Sequence, residues 1–289
     1  MPTKQATTRR RKTSPSPGRK RKRKSGASLL RGFPWWGVLA GSLLVVAVYV
    51  ALLYHFFVGP LSFRWRALYG EPDYPQEYDV RGIDISHYQK DIDWEVLRNA
   101  KVGGRPLRFV IVKATEGLTM TDENFNDNFY RVRENDLIRG AYHFYIPGSD
   151  PRGQAEFYLR QVHLEPGDLP PILDIERRGD EPLEQFQAGV RRWLEIVEAV
   201  YETAPVIYTN LDFRRKYLSD PAFDRYPLWI ANYYKRKLTY EGEWALWQYT
   251  DLGSLPGVKH KVDFDLFNGS LQDLRGFLLP GETGLDMID

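Results

Sequence analysis

Short apolar segments alternate with helical patterns from Val80 to near the end of the chain, and this alternation limits the possible folds more than any other feature. Such alternation is typical of a sheet whose strands are connected by crossing helices. About eight strands, with helices between at least the first five, predict an α/β fold of the TIM-like (β/α) barrel type. A doubly wound open sheet is the alternative, but no glycine-rich phosphate loop follows any strand. The predicted strands span 80–86, 108–113, 138–145, 170–176, 205–209, 227–231, 244–249 and 262–266, and the predicted helices span 93–100, 124–135, 151–163 and 183–202.

The N-terminal region differs sharply in composition from the rest of the chain. Residues 1–63 contain twelve Lys and Arg and no acidic residue, whereas residues 64–289 contain 28 Lys and Arg against 38 Asp and Glu. All twelve basic residues lie in 1–32, which we expect to be a disordered tail because like charges cannot build a core. Residues 33–58 form an uncharged apolar run that is long enough to cross a bilayer as a single helix.

Positive charge lies only on the N-terminal side of this apolar run, which predicts a cytoplasmic N-terminus and an extracytoplasmic domain, periplasmic or on the cell-wall side. A cleaved signal peptide is the alternative, although no convincing small-residue cleavage site follows. We expect a linker at 59–79, the β/α barrel at 80–280 and a C-terminal tail at 281–289. The lipid bilayer is then the partner of residues 33–58. No nucleic-acid partner is expected, because the basic tail and the domain would lie on opposite sides of the membrane.

Two acidic residues stand at the end of the strand predicted at 170–176. Alternate residues of a strand share a face, so Asp174 and Glu176 should point the same way. Two like charges this close disfavour joint ionisation, so one pKa should rise, which leaves one proton donor and one anion. Glycoside hydrolysis uses such a pair. A helix-capping Asp followed by an ion-paired Glu would, however, give the same sequence.

Polar and aromatic side chains recur at the ends of the other predicted strands. In barrels of this type the chemistry gathers at the rim where the strands end, so these side chains should converge there. The chain contains no Cys, which excludes disulfides and thiolate metal sites. His87 and His143 lack a third ligand, so we expect no metal site and no cofactor. The strand-end residues are Asp84, Lys113, Tyr142, Asp174, Glu176, Tyr208, Trp229, Gln248 and Asp263.

The stretch from about Arg81 to Phe267 resembles the family 25 glycoside hydrolases, which are lysozymes of the muramidase type. The resemblance does not cover residues 1–78. It implies an irregular barrel with some antiparallel strands and cleavage of the β-1,4 bond between N-acetylmuramic acid and N-acetylglucosamine in the glycan strands of peptidoglycan. The matching motifs are Gly-Ile-Asp-Ile-Ser at 82–86, Lys-Ala-Thr-Glu-Gly at 113–117, Gly-Ala-Tyr-His-Phe at 140–144, Leu-Asp-Ile-Glu at 173–176, Leu-Trp-Ile-Ala at 228–231, Trp-Gln-Tyr at 247–249 and Val-Asp at 262–263.

The resemblance also implies roles for individual residues. Glu176 matches the general acid, Asp174 the carboxylate paired with it, and Asp84 and Asp263 the two outer acids. The reaction would use the 2-acetamido group of the substrate, oriented by Asp174, or direct inversion by an activated water. A peptidoglycan-binding scaffold without catalysis is the alternative function, and the four intact acids favour the enzyme. Residues placed in the substrate groove, with core packing as the alternative, are Lys113, Tyr142, Tyr208, Trp229 and Gln248.

Overall fold

A computed structural model describes residues 35–53 and 74–281 of the chain. The described residues fall into two units, an N-terminal helix and a larger unit that holds all the described strands. Several of the predicted segments are therefore only partly covered. The parts that lie outside the described residues are the basic tail at 1–32, the ends of the apolar run at 33–34 and 54–58, the linker up to residue 73, and residues 282–289.

The N-terminal helix, α1, spans Trp35–Leu53 and contains no charged residue. At about 1.5 Å per residue its 19 residues extend about 28 Å, close to the roughly 30 Å of a bilayer core. Residues Trp35–Leu52 of this helix have a mean hydropathy of 2.0. Length and composition thus make α1 a candidate membrane span, and a signal sequence has the same properties.

Eight strands of the larger unit close into a barrel. The sheet runs from the first strand of the chain through each successive barrel strand, and the last strand returns to pair with the first. This closure confirms the predicted irregular barrel. The barrel strands are β1 (Arg81–Ile85), β3 (Arg105–Glu116), β5 (Ile138–Phe144), β6 (Ile172–Asp174), β7 (Val206–Asn210), β8 (Leu228–Ala231), β9 (Leu246–Gly253) and β10 (Val262–Phe267), and the short strands β2 (Lys101–Val102) and β4 (Met120–Thr121) pair with β3 outside the ring.

Strand β10 runs antiparallel to both of its neighbours, whereas the other barrel pairings are parallel. Its register sets Asp263 opposite Asp84 of β1. Because β10 is reversed, its beginning reaches the rim at which the other strands end. Asp263 is therefore the second residue of its strand. The expectation that it stands at a strand end was wrong, and the reversed direction explains why it still reaches the same rim.

Helices cover the outside of the barrel. Helix α4 begins as the sequence indicates, since the Asp150 carboxylate accepts hydrogen bonds from the N–H groups of Arg152 and Gly153, and Pro151 opens the helix. Helix α5 buries residues spaced three and four apart, as one face of an amphipathic helix does. The helices of this unit are α2 (Trp94–Leu97), α3 (Phe125–Glu134), α4 (Pro151–Gln161), α5 (Leu183–Tyr201), α6 (Leu211–Tyr217) and α7 (Leu271–Phe277).

Alternation along the strands divides the apolar core into two parts. Outward side chains such as Ile83 and Ile85 belong to the cluster that packs against the helices. Inward side chains form a second cluster, which fills the barrel at the end away from the rim. Gly82 faces this interior, where a Cβ would lie 2.1 Å from the Phe109 ring, so only glycine fits there. Members of the inner cluster include Phe109, Ile111, Ile172, Val206, Trp229, Leu246 and Phe267.

Strand β6 is shorter than the predicted strand at 170–176, because it contains only three residues. Pro170 and Pro171 precede it, and proline has no N–H to give to a ladder. Glu176 lies two residues beyond the end of β6. Asp174 and Glu176 therefore do not share a strand, although both side chains reach the same cavity.

Candidate active site

A cavity of about 520 Å³ opens at the rim of the barrel. Each of the eight barrel strands contributes one of the residues selected from the sequence, and Glu176 adds a ninth just past β6. The convergence that the strand pattern predicts is thus present in the fold. The nine lining residues are Asp84, Lys113, Tyr142, Asp174, Glu176, Tyr208, Trp229, Gln248 and Asp263.

Asp174 and Glu176 occupy different environments in this cavity. Asp174 is 5% exposed, whereas Glu176 is an exposed residue. Burial, followed by the negative charges of Glu176 and Asp84, holds the pKa of Asp174 well above its usual range. Partial burial of the carboxyl in the cavity raises the pKa of Glu176, and the positive charges of Arg177 and Lys113 oppose that rise. Burial is thus the largest cause of the raised pKa at both carboxyls, and repulsion between like charges adds to it at Asp174.

One oxygen of Asp174, Oδ1, is buried and has no hydrogen-bond partner among the described residues. Leaving a buried polar atom unpaired costs about 1–3 kcal/mol, so such atoms are rare in folded proteins. This oxygen lies on a residue that lines the cavity. An unpaired buried oxygen is therefore a feature of the acid that precedes Glu176 by two residues.

Asp84 is held by a hydrogen-bonded network on the opposite side of the cavity. Its Oδ2 accepts a hydrogen bond from Gln248 Nε2 at 2.6 Å. The Gln248 Oε1 in turn accepts hydrogen bonds from the hydroxyls of Tyr208 at 2.7 Å and Tyr233 at 2.6 Å. Gln248 and Tyr208, which the sequence suggests as groove residues, thus also position an acid of the site.

Asp265 is a further acid of this network that the sequence selection omits. It is fully buried, and its negative charge adds to burial in holding the pKa of Asp84 well above its usual range. Trp229 Nε1 donates a hydrogen bond to Asp265 Oδ1 at 2.8 Å. Burial raises the pKa of Asp265 well above its usual range, and burial also raises the pKa of Asp263 to about 9. The inward alternation of Asp263 and Asp265 along β10 is the signal that would have identified Asp265.

The two histidines considered as metal ligands have other partners. His87 Nδ1 hydrogen-bonds with Asp122 Oδ2 at 2.8 Å, and His143 lies between Thr115 and Gln154. Burial lowers the pKa of His143 to about 3, so this ring is neutral at physiological pH. Within the described ranges, no group of three or more His, Asp or Glu side chains is arranged to hold a metal ion.

Other cavity residues escaped the sequence selection. Tyr88 and Met120 line the cavity with large exposed surfaces, 71% and 49%. Phe144, the last residue of the motif at 140–144, and Arg177, directly after the motif at 173–176, also line it. Both positions were visible in the sequence, but neither residue type carries acid–base chemistry by itself.

A barrel whose rim collects five carboxyl groups and several aromatic side chains in one open cavity is the architecture of a carbohydrate-cleaving hydrolase. The family described as "Glycosyl hydrolases family 25" matches residues 83–258. The chain belongs to this family.

Three similar proteins illustrate the relationship. The YegX protein of Escherichia coli (strain CFT073) is 38% identical over 71% of this chain and 75% of its own length. Lysozyme M1 of Streptomyces globisporus is 31% identical over 66% of this chain and 68% of its own. The solved structure of a family 25 glycosyl hydrolase from Bacillus anthracis is 27% identical and covers 71% of this chain and 95% of its own, with a TM-score of 0.64. Family and relatives confirm the predicted enzyme class, a glycoside hydrolase of the lysozyme type.

Proposed function

We propose that this glycoside hydrolase cuts the β-1,4 bond between N-acetylmuramic acid and N-acetylglucosamine in peptidoglycan, with Glu176 as the general acid. The observation that carries the proposal is the contrast between an exposed Glu176, which a substrate in the cavity can reach, and a buried Asp174 two residues earlier in the same cavity. The similarity to Lysozyme M1 supports the substrate class.

In the proposed reaction, Glu176 gives its proton to the glycosidic oxygen as the bond to the anomeric carbon breaks. The carbonyl oxygen of the 2-acetamido group on the same sugar bonds to that carbon. Asp174, which lines the cavity, orients the acetamido group by accepting its amide N–H and stabilises the positive charge that develops there. Water then opens the cyclic intermediate and returns a proton to Glu176. This route retains the anomeric configuration, whereas direct attack by an activated water would invert it.

The remaining selected residues are assigned supporting roles. Asp84 and Asp263 act as the outer acids that shape the charge of the site. The hydrogen bonds that connect Gln248 and Tyr208 to Asp84 support a positioning role beside their place in the groove. Substrate contacts are proposed for Lys113, Tyr142, Tyr208, Trp229 and Gln248.

The charge pattern supports a tethered form of this enzyme. We assign 1–32 to the cytoplasm as a basic tail and 33–58 to a single membrane span, which includes α1. Residues 59–79 would be a linker, 80–280 the extracytoplasmic catalytic barrel and 281–289 a tail. The lipid bilayer and the glycan strands of peptidoglycan are the proposed partners.

Release of reducing ends from purified cell-wall sacculi tests the proposed activity. Glu176→Gln keeps the shape of the side chain but removes the transferable proton, so the rate should fall about 10²–10⁴-fold. Glu195→Gln, the same change at an exposed position of α5, should keep the wild-type rate. Nuclear magnetic resonance of the freshly formed product identifies the anomer and so distinguishes retention from inversion.

A binding scaffold without catalysis gives the opposite result. In that case the wild-type protein sediments with sacculi but releases no reducing ends between pH 4 and 8. A full rate in Glu176→Gln, beside an active wild type, would show instead that Glu176 is not the acid.

A further inference from the structure

Two positively charged side chains line the active-site cavity together with its carboxyl groups. Lys113 Nζ lies 5.2 Å from the centre of the Phe144 ring, and Arg177 Cζ lies 5.7 Å from it. Both residues and Phe144 line the cavity. Cations at this distance from a ring are attracted by its negative face, so Phe144 helps to hold both charges at the cavity.

The two cations differ in how they are paired. Lys113 forms an ion pair with Glu116 at 2.6 Å, and its side chain is only 12% exposed. Arg177 is exposed and, among the described residues, makes neither a hydrogen bond nor an ion pair. Its contact with Phe144 leaves the guanidinium donors free on the cavity side of the chain.

Neutralisation of the nearby carboxylates is a poor explanation for a positive charge at Arg177. A positive charge next to Glu176 lowers the pKa of that carboxyl, which works against its retention of a proton. A neutral glycan would offer the guanidinium hydrogen-bond acceptors but no opposite charge. The planar fork of an arginine instead matches a carboxylate, with which it forms two parallel charge-assisted hydrogen bonds.

We infer that Arg177, supported by Phe144 and by the second positive charge of Lys113, binds a carboxylate of the substrate. This inference rests on the proposed function, since it names the group of the peptidoglycan that this side of the cavity recognises. Two sources carry that chemistry. One is the lactyl carboxylate of muramic acid, which is free in glycan strands without peptides, and the other is a carboxylate of a stem peptide.

Binding of this carboxylate would also serve the reaction. A substrate carboxylate bound to Arg177 offsets the positive charge near Glu176. The pKa of Glu176 then rises, so this residue keeps its proton more firmly once the substrate is bound. A substrate without the carboxylate lacks this help. Arg177 would thus discriminate between glycans by charge at a position next to the acid.

The test compares three substrates with the full-length protein in detergent. They are intact peptidoglycan, peptide-free strands with free lactyl carboxylates, and the same strands after methyl esterification. Rates and sedimentation binding are measured for the wild type, Arg177→Gln and the control Arg152→Gln, which removes an exposed charge on α4 outside the cavity. Loss of a charge-assisted pair should lower kcat/KM about 10-fold or more.

If the lactyl group is the source, Arg177→Gln lowers kcat/KM about 10-fold or more on the free-acid strands. On the esters it causes no loss beyond that of the control variant. If a stem peptide is the source, the loss occurs on intact peptidoglycan alone. An Arg177→Gln variant that matches Arg152→Gln on all three substrates, or that loses equally on all three, overturns the inference. A wild type that cuts none of them overturns the proposed function instead, and the binding of acid and ester strands then decides the role of Arg177.

Discussion

Gln248 donates a hydrogen bond to Asp84 across a separation of 164 residues in sequence, at 2.6 Å. The contact joins β9 to β1, which are separated in the sheet by β10. Since the Gln248 carbonyl also accepts hydrogen bonds from two tyrosine hydroxyls, one amide connects both tyrosines to an acid of the cavity. The side chain of Asp84 is therefore positioned by a residue of another strand, which reaches it only because the barrel is closed.

Replacement of Gln248 by Leu should disrupt this network. It leaves the two tyrosine hydroxyls and an oxygen of Asp84 without their partner, at about 1–3 kcal/mol for each buried group. We expect the free energy of unfolding to fall by about 3 kcal/mol or more, the lower limit for three groups, and hydrolysis to weaken. Tyr208→Phe removes only one donor, so its effect should be smaller. Chemical denaturation and reducing-end release measure both, and equal stability of Gln248→Leu and wild type would contradict the network.

The pH dependence of activity should respond to Arg177. In the proposed mechanism activity needs protonated Glu176, so kcat/KM should fall as pH rises through the pKa of that carboxyl. Arg177 lowers this pKa, so Arg177→Gln should raise it and move the alkaline limb of the profile to higher pH. Methyl-esterified strands are the substrate of choice, because they separate this effect from carboxylate binding. An unmoved limb, or an equal shift in Arg152→Gln, would show that the two groups do not interact.

Stability should fall with pH because of Asp263. Its pKa is about 9 in the folded protein and about 3.9 in an unfolded chain, so between these values only the folded state holds the proton. Stability is then greatest at low pH and is lost as pH rises through this window, by at most about 1.4 kcal/mol per pH unit. Asp263→Asn should reduce the difference in unfolding free energy between pH 5 and pH 8, and Asp91→Asn, at an exposed site, should leave it unchanged.

Lys90 adopts a backbone conformation that glycine accepts better. It has φ 53° and ψ −137° directly after the short helix at His87–Gln89, and its side chain is exposed. Such a conformation costs a residue with a Cβ about 1–3 kcal/mol. Lys90→Gly should therefore stabilise the protein by about 1 kcal/mol in denaturant titrations, after the greater flexibility of glycine in the unfolded chain is subtracted. Lys90→Ala keeps the Cβ and should bring no gain.

Membrane topology can be tested in spheroplasts of a bacterial host that expresses the full chain. Protease added outside should digest the barrel and leave a small N-terminal fragment that contains the apolar run. Opening of the membrane should expose the basic tail to the same protease. A freely soluble mature form that begins near residue 60 would identify the apolar run as a cleaved signal peptide.

Local patterns along the chain were sufficient to predict much of this protein. The alternation of apolar and helical patterns predicted the barrel and the helix at 151–163, which corresponds to α4, because these signals depend on neighbouring residues alone. The motifs at the strand ends identified nine residues that line one cavity. The uncharged apolar run at 33–58 predicted a helix, of which α1 is the described part.

Only the tertiary structure decided how those residues interact. The reversal of β10, which sets Asp263 opposite Asp84, depends on pairing between strands far apart in sequence. The buried pair of Asp84 and Asp265 and the contact of Arg177 with Phe144 likewise depend on the closed barrel. The pKa of Glu176 is raised mainly by burial and lowered by two cations, whereas the sequence suggested repulsion by Asp174. Burial and charge at a site are sums over neighbours in space, which residue spacing along the chain does not encode.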